Sequence, residues 1–180
     1  MPARPHKFRR QCHLVTNFPL NAAPFTAVTM LSDHNSQIVL HVTQWSRGTD
    51  SEGKTRPLHW ALTFKTSGSH LRPIGNAYNV AGNVDTFCYE AQRDIPLRHD
   101  LWRGSLAVGR IPVESIDQFE KILSEIPIVR HDPEWNSQNW VWTALRELRQ
   151  QGFAIEYNLS FDKLRSHMYG LSEAWENGDI

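Results

Sequence analysis

The chain has 180 residues, 40% of them hydrophobic and 21% charged, with a formal net charge of zero. That length suits one domain with a real core, and the balance excludes a disordered or fibrous chain. Zero net charge gives no overall electrostatic support to a nucleic-acid partner or an anionic membrane surface.

Residues 1–24 carry Pro2, Pro5, Pro19 and Pro24 and a small basic cluster at Arg4, Lys7, Arg9 and Arg10. They are expected to be a flexible tail, leaving residues 25–180 as a single domain. Phe25–Leu31 is a possible short strand. Ile38–Trp45, rich in β-branched residues, predicts a strand, and Ser46–Pro57, with Gly48 and Gly53, an exposed loop. Leu58–Lys65, Asn76–Val80, Asp85–Gln92 and Leu106–Ile111 predict further strands. Their short connections favour an antiparallel meander over a βαβ repeat.

Helical patterns follow. Ser115 and Gln118 have the spacing of a capping box, Ile116, Phe119, Leu123 and Ile126 recur at helical intervals, and Pro127 ends the run. A second helix is expected from Asn136 to Gln151, capped by Asn136 and stopped by Gly152, with Val141, Ala144, Leu145 and Leu148 on its buried stripe. A third, over about 160–175, buries Leu164, Met168, Leu171 and Trp175. The expected fold is therefore α+β, an antiparallel sheet of four to six strands with about three helices packed on one side.

Other patterns fail. Cys12 and Cys88 form no disulfide framework and no zinc spacing, and two free thiols suit a reducing compartment. No apolar run approaches the ~20 residues needed to span a bilayer, so a soluble, cytoplasmic protein is expected. His131 and Asp132 lack further ligands for a metal. No phosphate-binding glycine loop and no Gly-x-Ser-x-Gly elbow occurs. No metal and no cofactor is expected, and the oligomeric state is open.

The stretch with chemical content is Asp132-Pro-Glu-Trp-Asn-Ser-Gln-Asn-Trp140, which sets Ser137 in the first turn of a helix. Unpaired N–H groups and the positive end of the dipole there stabilise an anion. His59 opens the run His59-Trp-Ala-Leu62 on a strand. Ser137 is either a nucleophile or a helix cap, and a serine acts as a nucleophile only with a base in hydrogen-bond reach, because a helix-terminus effect of ~1 kcal/mol does not ionise a hydroxyl. His59 is either that base or a half-buried strand residue. Trp60 and Trp135 are candidate pocket walls, with core packing as the alternative.

A histidine on a strand followed by a helix-opening Asn-Cys resembles lecithin-retinol-acyltransferase-like and other permuted NlpC-type proteins, which share a papain-like fold. The resemblance puts Ser137 at the cysteine position, His59 as the base and Asn79, from Tyr78-Asn79 on the next strand, as the group orienting it. Tyr78, Trp135, Asn136 and Gln138 then flank the substrate beside Trp60. The chain is also similar, over about residues 38–152, to an uncharacterised fungal family that pairs His-Trp-Ala-Leu with Asp-Pro-Glu-Trp-Asn-Cys/Ser. These resemblances imply acyl transfer or hydrolysis at an amide, ester or thioester of a small molecule or peptide. The competing reading is an inactive papain-like module that binds a peptide or a small apolar ligand. A third is assembly, in which the Leu164–Trp175 stripe packs on a partner chain.

Overall fold

The computed structural model describes residues 36–180. The 1–24 tail and the Phe25–Leu31 strand lie outside those residues. The fold is α+β, a six-stranded antiparallel sheet with three helices. The strands are β1 (Gln37–Trp45), β2 (His59–Gly68), β3 (Pro73–Ala81), β4 (Cys88–Pro96), β5 (Trp102–Pro112) and β6 (Ala154–Ile155). The helices are α1 (Ile116–Glu125), α2 (Ser137–Gln150) and α3 (Phe161–Glu176).

The sheet order is β4-β3-β2-β1-β5-β6. The first four strands form the expected meander. β5 departs from it, crossing to the free edge of β1, where Thr43 faces Ser105 and Val42 faces Leu106. β6 was not expected: two residues are too short to show an alternating pattern, and their pairing with Gly109 and Arg110 is tertiary. β4 begins at Cys88 rather than near Asp85, because Asn83, Asp85 and Thr86 form a turn in which Asn83 Oδ1 accepts from the Asp85 N–H and the Thr86 hydroxyl.

Alternation assigns the two faces of the sheet. Leu40, Val42, Trp60, Leu62, Phe64, Tyr78 and Val80 join the α1 and α2 stripes in one core. Trp140, Leu145 and Leu148 of α2 and Phe119 and Leu123 of α1 are fully buried there, each side chain contributing about 1.5–3 kcal/mol. The opposite face holds a smaller cluster of Trp45, Ala61 and Ala77, with Ile95 and Trp102 against it. α3 is tied to β1 and β5 by Gln44, whose buried amide donates to Arg103 O at 2.9 Å and Met168 O at 2.7 Å. The Leu164–Trp175 stripe thus packs at least in part on its own sheet, with Leu164 and Met168 in the core.

Two expectations are corrected. Ser115 precedes α1 but its side chain makes no cap hydrogen bond, because a 3-10 turn over Val113–Ser115 leads directly into the helix. Cys88 is disulfide-bonded, so the reducing compartment inferred from two free thiols loses its basis.

Candidate functional site

The chain reaches α2 through a segment fixed at several points. Arg130 Nε donates to Phe87 O at 2.9 Å, and the His131 N–H donates to Val84 O at 2.8 Å, with His131 in the left-handed region at φ 61°. Asp132 Oδ1 then accepts from the Glu134 N–H at 2.9 Å. Trp135 packs edge-on against Phe87, ring centroids 5.3 Å apart.

Asn136 caps the helix as its residue type and position predict. Its Oδ1 accepts from the Gln138 N–H at 2.9 Å, and Asn139 Oδ1 accepts from the Asn136 N–H at 3.0 Å. The cap therefore occupies one of the first-turn donors that an oxyanion could use.

Ser137 is the first residue of α2 and only 3% exposed. The β2–β3 ladder ends at the pair Leu62 and Tyr78. Beyond that end, the Trp60 N–H donates to Ser137 Oγ at 3.1 Å. Gln138 Nε2 makes a parallel link, donating to Leu58 O at 3.1 Å. Ser137 and Gln138 together pin the start of the helix to the start of β2, on either side of His59.

His59 itself pairs with Trp45, and their rings lie 6.4 Å apart, on the face opposite Trp60. Burial, reinforced by the charge of Arg47, pushes its pKa down to about 4, against a smaller upward pull from the Asn79 side chain. The Asn79 contact stops short of a full hydrogen bond, since buried Asn79 Oδ1 has no aligned donor among the described residues. Likewise, no hydrogen bond joins Ser137 Oγ to His59 among those residues; the hydroxyl's partner is Trp60.

Tyr78 lies fully buried between Phe64 and Phe119, and its hydroxyl donates to Glu120 at 2.6 Å. Burial and that bond push its pKa up. Glu120 also pairs with Arg93 at 2.6 Å. The folding thus brings Ser137, Asn136, Gln138, Trp60 and His59 to one junction, with Asn79 against His59. It leaves Tyr78 in the core and Trp135 against Phe87, the residue before β4.

Beside the junction runs a cleft of about 800 Å³ between the 46–58 loop and α3. Trp60 and Gln138 line it; His59, Asn79 and Ser137 do not. Its other walls include Arg56, Arg165 and Tyr169, and Arg103, whose guanidinium sits 3.5 Å from the centroid of the Trp175 ring. Sequence reasoning missed Gln44 and Arg103 here. The available signal was Gln44 itself, a polar residue at an inward position of an apolar strand. Among the described residues no group of three or more His, Cys, Asp or Glu is placed to hold a metal, and no helix is long and apolar enough to cross a membrane.

Residues 47–154 match a family described as "Family of unknown function (DUF6540)". No curated protein and no solved structure matches the chain.

Proposed function

The chain belongs to that family of unknown function, whose description supplies no activity, and from the geometry we propose that it is a non-catalytic binding domain on a permuted papain-like frame. The order of parts supports the frame: a histidine strand, an adjoining strand that carries Asn79, then a helix opened by Asn136-Ser137. The binding reading rests on one observation above all, the buried Ser137 Oγ accepting from the Trp60 N–H with no bond to His59.

Three physical points add weight. A general base works best with a pKa near the operating pH, and His59 at about 4 is a weak proton acceptor at neutrality. The Gln138 N–H, one of the first-turn donors that an oxyanion could use, is held by the Asn136 side chain. The open volume lies beside Trp60 and Gln138 rather than over Ser137. Ser137 then serves as a staple that satisfies a strand N–H, and the adjoining cleft holds the ligand.

The test has two arms. A fluorophosphonate probe, which labels activated serines, is expected to leave Ser137 unmodified by mass spectrometry, and Ser137→Cys is expected to alkylate with iodoacetamide no faster than a simple thiol. Labelling of Ser137, or a fast cysteine, would establish the acyl-transfer reading instead. For the cleft, which Ser172 also lines, fragments that bind by ligand-observed NMR should be lost in Ser172→Trp, whose indole would occupy it; hits that persist would put the binding elsewhere. Ser137→Ala should also cost about 1–2 kcal/mol, because it strands the buried Trp60 N–H. A urea midpoint equal to that of the unmodified protein would contradict the staple.

A further inference from the structure

On the sheet face turned away from α1 and α2, a second pocket of about 370 Å³ opens where β1, β2 and β5 meet α3. We propose that it binds the carboxylate of a small organic acid with an apolar body. It lies away from the Ser137 junction, and the proposal holds whatever Ser137 does.

The floor of the pocket is a chain of hydroxyls. Thr43 Oγ1 lies 2.7 Å from Thr63 Oγ1 and 2.9 Å from Ser105 Oγ, and Ser105 Oγ accepts from Trp102 Nε1 at 3.0 Å. All three hydroxyl residues line the pocket, and Thr43 and Thr63 are each 1% exposed. The protons can be counted. Three hydroxyls carry three protons, and the two contacts between them use two. The indole brings its own hydrogen. One hydroxyl proton is therefore left over whichever way the chain is oriented, and none of the described residues supplies an acceptor for it. In two of the three possible orientations that proton sits on Thr43 or Thr63, both buried, where a donor without an acceptor is costly; in the third it sits on half-buried Ser105, and in each a ligand oxygen would satisfy it.

Charge selects the kind of oxygen. Lys65, Arg98, His41 and His70 line the pocket, and no aspartate or glutamate side chain does. Arg98 is held in place, its guanidinium 4.2 Å from the centroid of the Trp102 ring. Burial lowers the pKa of His41, so near neutrality it stands as an uncharged hydrogen-bonding group while Lys65 and Arg98 carry the positive charge. The remaining walls are apolar, formed by Pro73, Leu97, Leu171 and Ile180 together with the indole of Trp102. A carboxylate on an apolar body matches a cationic rim, a hydroxyl floor and aliphatic sides together. A multiply charged polyphosphate would leave the aliphatic walls unused.

The experiment is calorimetric titration of the full chain with 2-naphthoate and with its neutral isostere 2-naphthamide, near neutral pH and at low salt. Naphthoate is expected to bind at least about tenfold more tightly than the amide, and the double variant Lys65→Gln/Arg98→Gln to lose about tenfold in naphthoate affinity. Equal affinity for acid and amide, unchanged affinity in the variant, or no naphthoate binding would each overturn the proposal. Lys65 is exposed, so Lys65→Gln alone provides the charge test if the double variant melts early.

Discussion

Gly75→Ala is expected to destabilise the protein by about 3 kcal/mol or more. Gly75 pairs with Lys65 across the β2–β3 ladder and with Ile95 across β3–β4. A Cβ at this position would sit 2.0 Å from Phe64 O and 2.8 Å from Leu97 Cδ1. The first of these is backbone, so no rotamer change relieves it; the strands must part or the ladder must shift. Register irregularities already flank the position, between Lys65 and Ser67 and between Gly75 and Ala77. The same substitution at Gly170, inside α3, meets nothing within 4 Å and should instead stabilise by about 0.5–1 kcal/mol through helix propensity. Urea unfolding of the two variants measures both signs. A Gly75→Ala midpoint at or above that of the unmodified protein would refute the steric account.

Acidification is the second large lever. His59 has a folded pKa of about 4 against an ordinary 6.5. Between those values the unfolded chain binds the proton and the folded chain does not, so stability rises with pH across the window. The contribution is complete above about 6.5 and is lost as pH falls through the folded value. At pH 4.5 the loss from this residue is about 2.5 kcal/mol relative to pH 7. Burial lowers His41 as well, which adds to the same trend. The informative quantity is therefore the difference between the unmodified protein and His59→Gln. Denaturant melts at both pH values should show a steeper acid loss with His59 present. Identical slopes would mean that His59 is solvated.

The elements that the sequence revealed most clearly were those whose signals are local. Asn136 and Gly152 bound α2 because a cap and a left-handed stop are chosen residue by residue; Gly152 has φ 88°. The stripes of α1 and α2 followed from spacing alone. The crossover of β5 and the existence of β6 depend on pairings between distant segments, and no short window records them. The junction was legible in part. Ser137, Asn136 and His59 were read from a motif, and the start of α2 does bond to the backbone on either side of His59, though not to its ring. What no motif conveys is the partner of the hydroxyl: Trp60 offers a backbone N–H that any residue there would offer, released only because the β2–β3 ladder ends two residues away. The hydroxyl floor of the second pocket was hidden for a similar reason. Thr43, Thr63 and Ser105 sit on three strands, and threonine in a strand is unremarkable until register sets the three side by side.

The placement of β1 dictates an order of assembly. Its partner on one side, β2, lies close in sequence, with the Thr43 to Thr63 contact spanning 20 residues, whereas the Thr43 to Ser105 contact on its other side spans 62. A nascent chain can zip the β1–β4 meander early and still present the unpaired backbone of β1, flanked by Leu40 and Val42, until β5 has left the ribosome. During that interval the strand is a template for any other extended chain. Chaperone demand and aggregation during synthesis should therefore concentrate on this one edge, and mutations that slow the docking of β5 should lower the yield of folded protein more than their equilibrium cost implies.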